Sequence, residues 1–315
     1  MKKITILCPA YNEQAGINAF LCVLDETFEP LCHNYLFHVV ILDDGSSDKT
    51  SSIVSKFCAL NFSLTLCSFT RNFGKEAAIV AGFERYSGHA YIVMDTDLQH
   101  PPQLISQMLE QWRQGFKVVE SVKTHRGNES KVYKSFSKIF YLGLQKLSAL
   151  QLENHSNYKL LDNEVAEKIR QLPEKQRFFR GLVEWFGFSS IQIPFVVPDR
   201  ENDSSSWSVW GLFKYSIHNV ASFTSAPLHL VTLIGVLMLF ISVVLGSVTF
   251  YQWLLGSAVT GFTTVILLLL FIGSVLMVSL GLIGLYLAKI YDEIKARPVY
   301  LVKEESHHPA KKDLT

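Results

Sequence analysis

Two carboxylates, Asp95 and Asp97, follow the apolar run Tyr91-Ile92-Val93-Met94 with a single residue between them. A strand that only had to be buried would not end on two like charges, because unpaired charge is costly to remove from water. Asp-Thr-Asp is a hard, oxygen-rich chelate. It suits Mg²⁺ or Mn²⁺, which take one or two carboxylates and complete their shell with substrate phosphates and water. A cation bridging a diphosphate neutralises the charge that grows as a nucleoside diphosphate departs, and that is the chemistry of sugar transfer from a nucleotide sugar. An isolated D-x-D is common by chance, so its position in the fold has to supply the weight.

The first hundred residues alternate between strand and helix patterns. KITILCPAY reads as a strand, followed by a helix near Gln14 to Phe28. HVVILDDGSSDKT reads as strand, turn and helix start, with Ser47 or Asp48 able to cap a helix running through Cys58. SLTLCSF is a third strand, GKEAAIVAGFERYS a helix, and AYIVMD a fourth strand. Short apolar runs between helices indicate strands buried on both faces, hence an α/β fold with a mostly parallel, Rossmann-like sheet. Ligands of such sheets bind beyond the carboxyl ends of the strands. Tyr11-Asn12-Glu13, Asp43-Asp44 and the Asp95/Asp97 pair all fall there. Three acidic strand ends facing one crevice require a cation or hydrogen-bond donors to offset them.

The rest of the chain is organised by a charge desert. No Lys, Arg, Asp or Glu occurs from Tyr215 to Ala288, although such residues make up 18% of the 315-residue chain. Leu228–Gln252 and Phe262–Ala288 are each long enough to cross a hydrocarbon core, which takes about 20 helical residues. Lys214 precedes the first span, and Lys289, Lys295, Arg297 and Lys303 follow the second. The positive-inside rule then predicts a two-helix hairpin in the inner or plasma membrane, multi-pass, with the catalytic domain and both termini cytoplasmic. The expected organisation is a catalytic domain over 1–205, a juxtamembrane interface helix over 206–227, two transmembrane helices over 228–290 and a cytosolic tail over 291–315. Lys131–Leu150 and Trp207–Phe223 read as amphipathic interface helices, the first equally as a packed core helix. The tail after Glu304 is expected to be disordered, with His307 and His308 solvated. MKKITILCPAYNE is too short and too interrupted by proline for a signal peptide. Five cysteines without C-x-x-C spacing read as reduced packing residues. A net charge of +1 argues against a bulk nucleic-acid binder.

The blocks PAYNE, LDDGSSDKT, FTRNFGKEAAIVAGFE, MDTDLQHPP, QRFFRGLVEWFGF and GLIGLYLAKIYDEIKARPVYLVKE, together with the double span, cover nearly the whole chain. In these blocks and their order the chain resembles the inverting family 2 glycosyltransferases of the GT-A fold. Within them it is most similar to the bacterial polyprenyl-phosphate glycosyltransferases (the bactoprenol glucosyltransferases of O-antigen modification), with dolichol-phosphate mannose synthase more distant. The resemblance implies that Pro9, Tyr11, Glu13 and Asp44 frame the nucleobase and ribose, and that Lys75 meets the diphosphate. Asp95 and Asp97 would hold Mg²⁺ or Mn²⁺, with Gln99 assisting directly or through water. Arg126, Arg177, Arg180 and Arg200 become candidates for the phosphates of donor and lipid. Asp97, Asn157, Arg180 and Arg200 form the expected catalytic group. The implied partners are a nucleotide sugar, polyprenyl phosphate, the membrane, further copies of the chain (tetramers by resemblance), a downstream flippase and a transferase outside the cytoplasm.

Two positions depart from the family pattern. Ser156-Asn157-Tyr158-Lys159-Leu160 stands where relatives read G-D-F-R-L, so an aspartate proposed to assist near the acceptor is Asn157 here. Ser206 stands where a lysine is expected near phosphate. A degenerate, non-catalytic subunit that binds nucleotide sugar or acts as a scaffold is the alternative these changes motivate. Gln176-Arg177-Phe178-Phe179-Arg180 does not fit the Q-x-x-R-W of processive synthases. The nucleobase and the sugar, whether glucose, N-acetylglucosamine or galactose, stay open.

Overall fold

The computed structural model describes residues 1–123, 155–174, 177–195, 226–255 and 261–314. Arg126, Arg200, Ser206 and both proposed amphipathic segments lie outside them. The chain divides into two units, Met1–Ser205 with Pro298–Thr315, and Ser206–Arg297.

In the first unit the strands are β1 (Lys2–Ala10), β2 (Tyr35–Asp43), β3 (Ser63–Phe69), β4 (Ala90–Val93), β5 (Val118–Lys123), β6 (His155–Asp162), β7 (Ser190–Phe195) and β8 (Val302–His308). Helices α1 (Ile17–Phe28), α2 (Thr50–Val54), α3 (Lys75–Arg85), α4 (Leu104–Arg113), α5 (Asn163–Gln171) and α6 (Phe179–Trp185) lie between them. One eight-stranded sheet runs β7-β5-β6-β4-β1-β2-β3-β8. Its centre, β4-β1-β2-β3, is parallel, while β6 and β8 pair antiparallel with their neighbours. The expected α/β architecture with a mostly parallel core is present. Strand order reverses at β1, between β2 on one side and β4 on the other, and such a switch point opens a crevice at the carboxyl ends.

Alternation along the strands builds two cores. Ile4, Ile6 and Cys8 of β1 pack with Phe20, Leu24 and Phe28 of α1 and with Ile105 and Met108 of α4. On the opposite face, Leu7, Val40 and Leu42 meet Ala78, Ile79 and Phe83 of α3, Val165 of α5 and Phe179 of α6. Each fully buried Leu, Ile or Phe contributes roughly 1.5–3 kcal/mol. Both faces are therefore covered, which is why the central strands read as continuous apolar runs.

Two expected helix boundaries differ from the structure. Helix α1 begins at Ile17, not Gln14, because the Gln14 backbone N–H is held by Asp48 Oδ2 at 3.0 Å. Helix α2 ends at Val54 rather than Cys58; the Ser52 and Ser55 hydroxyls donate to the Lys49 and Ser51 carbonyls, a local competition that weakens short helices. Neither Ser47 nor Asp48 occupies the N-cap position, which falls to Lys49, but Asp48 Oδ1 accepts from Thr50 N–H at 2.9 Å just ahead of the helix.

The largest correction concerns the tail. Residues 302–308 are not disordered: they form β8, paired antiparallel to β3 from Leu64↔His308 to Phe69↔Val302. Glu305 accepts from Arg85 and from Tyr86 Oη, the latter at 2.8 Å, and His307 Nδ1 pairs with Thr65 Oγ1 at 2.9 Å. His307 is thus an ordered sheet residue, although it stays exposed to solvent as expected.

The second unit contains two long helices, α7 (Ala226–Leu254) and α8 (Phe262–Ile294). Each includes a segment long and apolar enough to cross a membrane, Leu233–Gln252 with mean hydropathy 2.5 and Phe271–Ile294 with 2.2, neither buried within the protein. Helix α8 continues past Ala288 through Lys289, Asp292 and Glu293.

Candidate active site

The crevice beyond β1 and β4 is an open cleft of about 340 Å³, lined by Pro9, Ala10, Tyr11, Glu13, Asp44, Asn72, Gly74, Lys75, Asp95, Thr96 and Asp97. Seven residues singled out from sequence, namely Pro9, Tyr11, Glu13, Asp44, Lys75, Asp95 and Asp97, therefore converge at the switch point.

Two loops are bound together to make one wall. Asn12 N–H donates to Ser46 Oγ, Ser47 N–H to Asn12 Oδ1, and Glu13 N–H to Thr50 Oγ1, each at 2.9 Å. Asn12 sits at φ 56°, a left-handed conformation that asparagine tolerates better than most residues. Gly45 has φ +71°, and a Cβ there would lie 2.5 Å from the Arg71 carbonyl carbon, so only glycine fits the turn.

The acidic strand ends prove unequal. Asp43 is spent inside the turn, accepting from Ser46 N–H at 3.0 Å and from the Ser51 hydroxyl. Asp44 lines the cleft, but its two oxygens accept from Phe73 N–H at 2.7 Å and Gly74 N–H at 2.8 Å. Its carboxylate fixes the loop that delivers Lys75. Burial pushes the Asp44 carboxyl up, against the pull of those two amides.

Asp95 differs. Its Oδ1 is buried and makes no well-directed hydrogen bond; Lys75 Nζ lies 2.5 Å away as an ion pair. Burial alone would raise this carboxyl, but Lys75, His100 and Arg180 outweigh it and hold it below its usual value. Asp97 is exposed in the same cleft, and its Oδ1 accepts from Gln99 N–H at 3.1 Å. Gln99 adjoins the pair through its backbone and is not among the cleft-lining residues. Among the described residues no three His, Cys, Asp or Glu side chains converge as a metal cage. Two carboxylates in one cleft, one of them balanced by a lysine ammonium and not by directed hydrogen bonds, fit a cation of the Mg²⁺ type that shares its shell with phosphate.

Asn157 and Arg180 form a second group beside the cleft. Arg180 Nε donates to Asn157 Oδ1 at 2.5 Å, and the arginine's charge acts on Asp95. Asn157 is buried. Arg177 lies elsewhere: buried, it pairs with Glu84 at 3.1 Å and donates to the Glu174 and Leu172 carbonyls, so its guanidinium is taken up by protein groups. Lys159 and Glu120 likewise form a buried cross-strand ion pair.

Sequence reasoning missed Asn72, Gly74 and Thr96 in the lining, and two supporting residues. His100 Nδ1 faces Asp95 N–H at 3.3 Å while its ring stacks on Tyr158 at 5.0 Å. Glu76 accepts from Phe179 N–H at 2.9 Å. The signal for His100 was available, a histidine three residues after the acidic pair and followed by two prolines; Glu76 carried none.

A doubly wound sheet with an acidic pair and a lysine at its switch point has the layout of an α/β enzyme that handles phosphates. The model of the family described as Glycosyl transferase family 2 matches residues 5–180. A bactoprenol glucosyl transferase derived from prophage SfII of Shigella flexneri is 32% identical over 304 residues, covering 96% of this chain and 98% of that protein. An uncharacterized glycosyltransferase of Synechocystis is 33% identical, covering 96% and 95%. The prophage bactoprenol glucosyl transferase homolog of Escherichia coli is 30% identical, covering 96% and 98%. Among solved structures, glucosyl-3-phosphoglycerate synthase of Mycobacterium tuberculosis has a TM-score of 0.46 and 19% identity, covering 70% of this chain and 78% of that one. The chain belongs to glycosyl transferase family 2, and it is a glycosyltransferase.

Proposed function

We propose that this protein transfers one sugar from a nucleoside-diphosphate sugar, a UDP-sugar first among them, to polyprenyl phosphate at the cytoplasmic face of the membrane. The observation that carries the reading is the cleft itself: Asp95, whose Oδ1 is balanced by the Lys75 ammonium, beside Asp97. The lipid acceptor is supported by the bactoprenol glucosyl transferases that align over nearly the full chain and by the two apolar helices.

Asp95 and Asp97 hold a divalent cation, which when bound offsets negative charge on the departing diphosphate. Lys75, now paired with Asp95, turns to the diphosphate. Pro9, Tyr11 and Glu13 frame the nucleoside, and Asp44 holds the loop behind it. The acceptor is its own nucleophile: a phosphate monoester with a second pKa of about 6 is largely dianionic at neutral pH and needs no strong base. Its oxygen attacks the anomeric carbon from the face opposite the diphosphate, so the new C–O bond forms as the old one breaks and the configuration inverts. Positioning and charge compensation are then the main tasks of the protein, and Arg180 supplies a cation on the acceptor side. Asn157 cannot act as a base, but this route asks none of it.

The product is a lipid-linked sugar for O-antigen or another envelope glycan, used after a flippase carries it across. The catalytic unit and both termini lie in the cytoplasm, and the protein assembles with further copies of itself.

Purified protein in detergent, given undecaprenyl phosphate, Mg²⁺ or Mn²⁺ and a panel of radiolabelled nucleotide sugars, tests this. Metal-dependent label in the organic phase from one donor, absent in Asp97→Ala, is expected. No label from any donor, with nucleotide binding intact, would return the scaffold reading to the front.

A further inference from the structure

Glu76 lines no part of the cleft, yet it joins the two elements that bring cations to it. Its helix, α3, opens with Lys75, the partner of Asp95. Its Oε2 accepts from the backbone N–H of Phe179, the residue before Arg180. Helix α6 has no capping side chain of its own, since Phe178 precedes it. An orphan N–H in a first helical turn needs an acceptor, and a carboxylate there is also favoured by the helix dipole. Glu76 supplies that acceptor from another helix.

The attachment has a second point. Glu84, two turns along α3 and on the same face, pairs with Arg177 at 3.1 Å. Between these points Phe179 is buried and stacks on Phe83 of α3, ring centroids 5.8 Å apart. The segment 177–180 is therefore fastened to α3 on either side of a buried aromatic, with Arg180 emerging toward Asn157 and within electrostatic reach of Asp95 and Glu76.

We infer that Glu76 is a positioning residue: it locks the start of α6 to α3, so that Arg180 keeps a fixed place relative to Lys75 and Asp95 and meets the phosphate of the acceptor. The inference rests on the proposed reading of the cleft for its ligand, and on the hydrogen-bonded frame for its geometry.

The test uses the full chain in detergent with three readouts: UDP binding with Mn²⁺, equilibrium binding of farnesyl phosphate, and label transfer to undecaprenyl phosphate. Glu76→Ala removes the acceptor for Phe179 N–H. It is expected to weaken farnesyl phosphate binding and raise the KM for undecaprenyl phosphate about tenfold, while UDP affinity stays within about twofold. Glu76→Gln retains an oxygen in the same place and is expected to restore both to near wild type. A tenfold loss in Glu76→Gln, equal losses of UDP and farnesyl phosphate binding in Glu76→Ala, or no change in either would overturn the inference, and the glutamine variant decides it alone if the alanine variant does not fold. Wild-type protein that transfers nothing while the binding pattern holds would defeat the proposed reaction and leave the positioning role standing.

Discussion

Asp43-Asp44 and Asp95-x-Asp97 look alike in sequence, two acidic pairs at the ends of buried strands on either side of β1, but they differ in where their oxygens go. The first pair is consumed by the fold: two backbone amides for Asp44, an amide and a hydroxyl for Asp43. The second keeps a buried oxygen without a well-directed hydrogen bond, balanced by the charge of Lys75. A carboxylate saturated by backbone N–H groups builds a loop, whereas one balanced only by a mobile cation can exchange that cation for another. Hydrogen-bond accounting, more than acidity or position, separates scaffold from site.

The sharpest way to break this contrast is to remove each pair in turn. Asp95→Asn or Asp97→Ala should lower transfer by about a hundredfold or more, equivalent to about 3 kcal/mol of transition-state stabilisation, with little change in melting temperature. An equal loss of stability in these variants would erase the distinction. Asp44→Ala should behave oppositely in kind: it strands the Phe73 and Gly74 amides and should cost roughly 2–4 kcal/mol of unfolding free energy in denaturant titration. Its activity loss should follow from a displaced Lys75 loop, visible as faster hydrogen exchange at Phe73 and Gly74.

A smaller effect sharpens the same point with a histidine. His38 is buried, and its Nε2 pairs with Thr65 Oγ1 at 2.8 Å. Burial, followed by Lys3 and His307, lowers its pKa from 6.5 to about 3. The unfolded chain binds this proton more readily, so stability is full above about pH 6.5 and is lost as pH falls toward 3. About 2 kcal/mol should disappear between pH 7 and pH 5, and His38→Gln should flatten that dependence in denaturant titrations at the two pH values. The smallest effect expected is at Arg177: Arg177→Lys should cost stability through the pair with Glu84 but leave UDP affinity unchanged, as measured by calorimetry.

Much of this was legible in the sequence, and the reasons are specific. Strands β1, β2, β3 and β4 announce themselves because both faces of the sheet are covered, so each carries a mostly apolar run before the site begins. The cleft residues were legible because parallel topology sends all strand ends one way. Strand β8 was not legible. Its residues are polar because Glu305 answers Arg85 and Tyr86 while His307 answers Thr65, partners more than 200 positions away. Glu76 and Arg177 were unreadable for the same reason: a buried or half-buried charge shows its role only through a partner brought by tertiary structure.

Strand β8 also sets a schedule for synthesis. It is the last strand among the described residues and covers the edge of β3, and the loop after β3 leads to Lys75 at the start of α3. The sheet therefore remains one strand short, with a row of unpaired backbone groups on β3, until both apolar helices have been translated. The sheet cannot close until both apolar helices have been made, so a chain interrupted before Pro298 carries an open β3 edge instead of a finished enzyme.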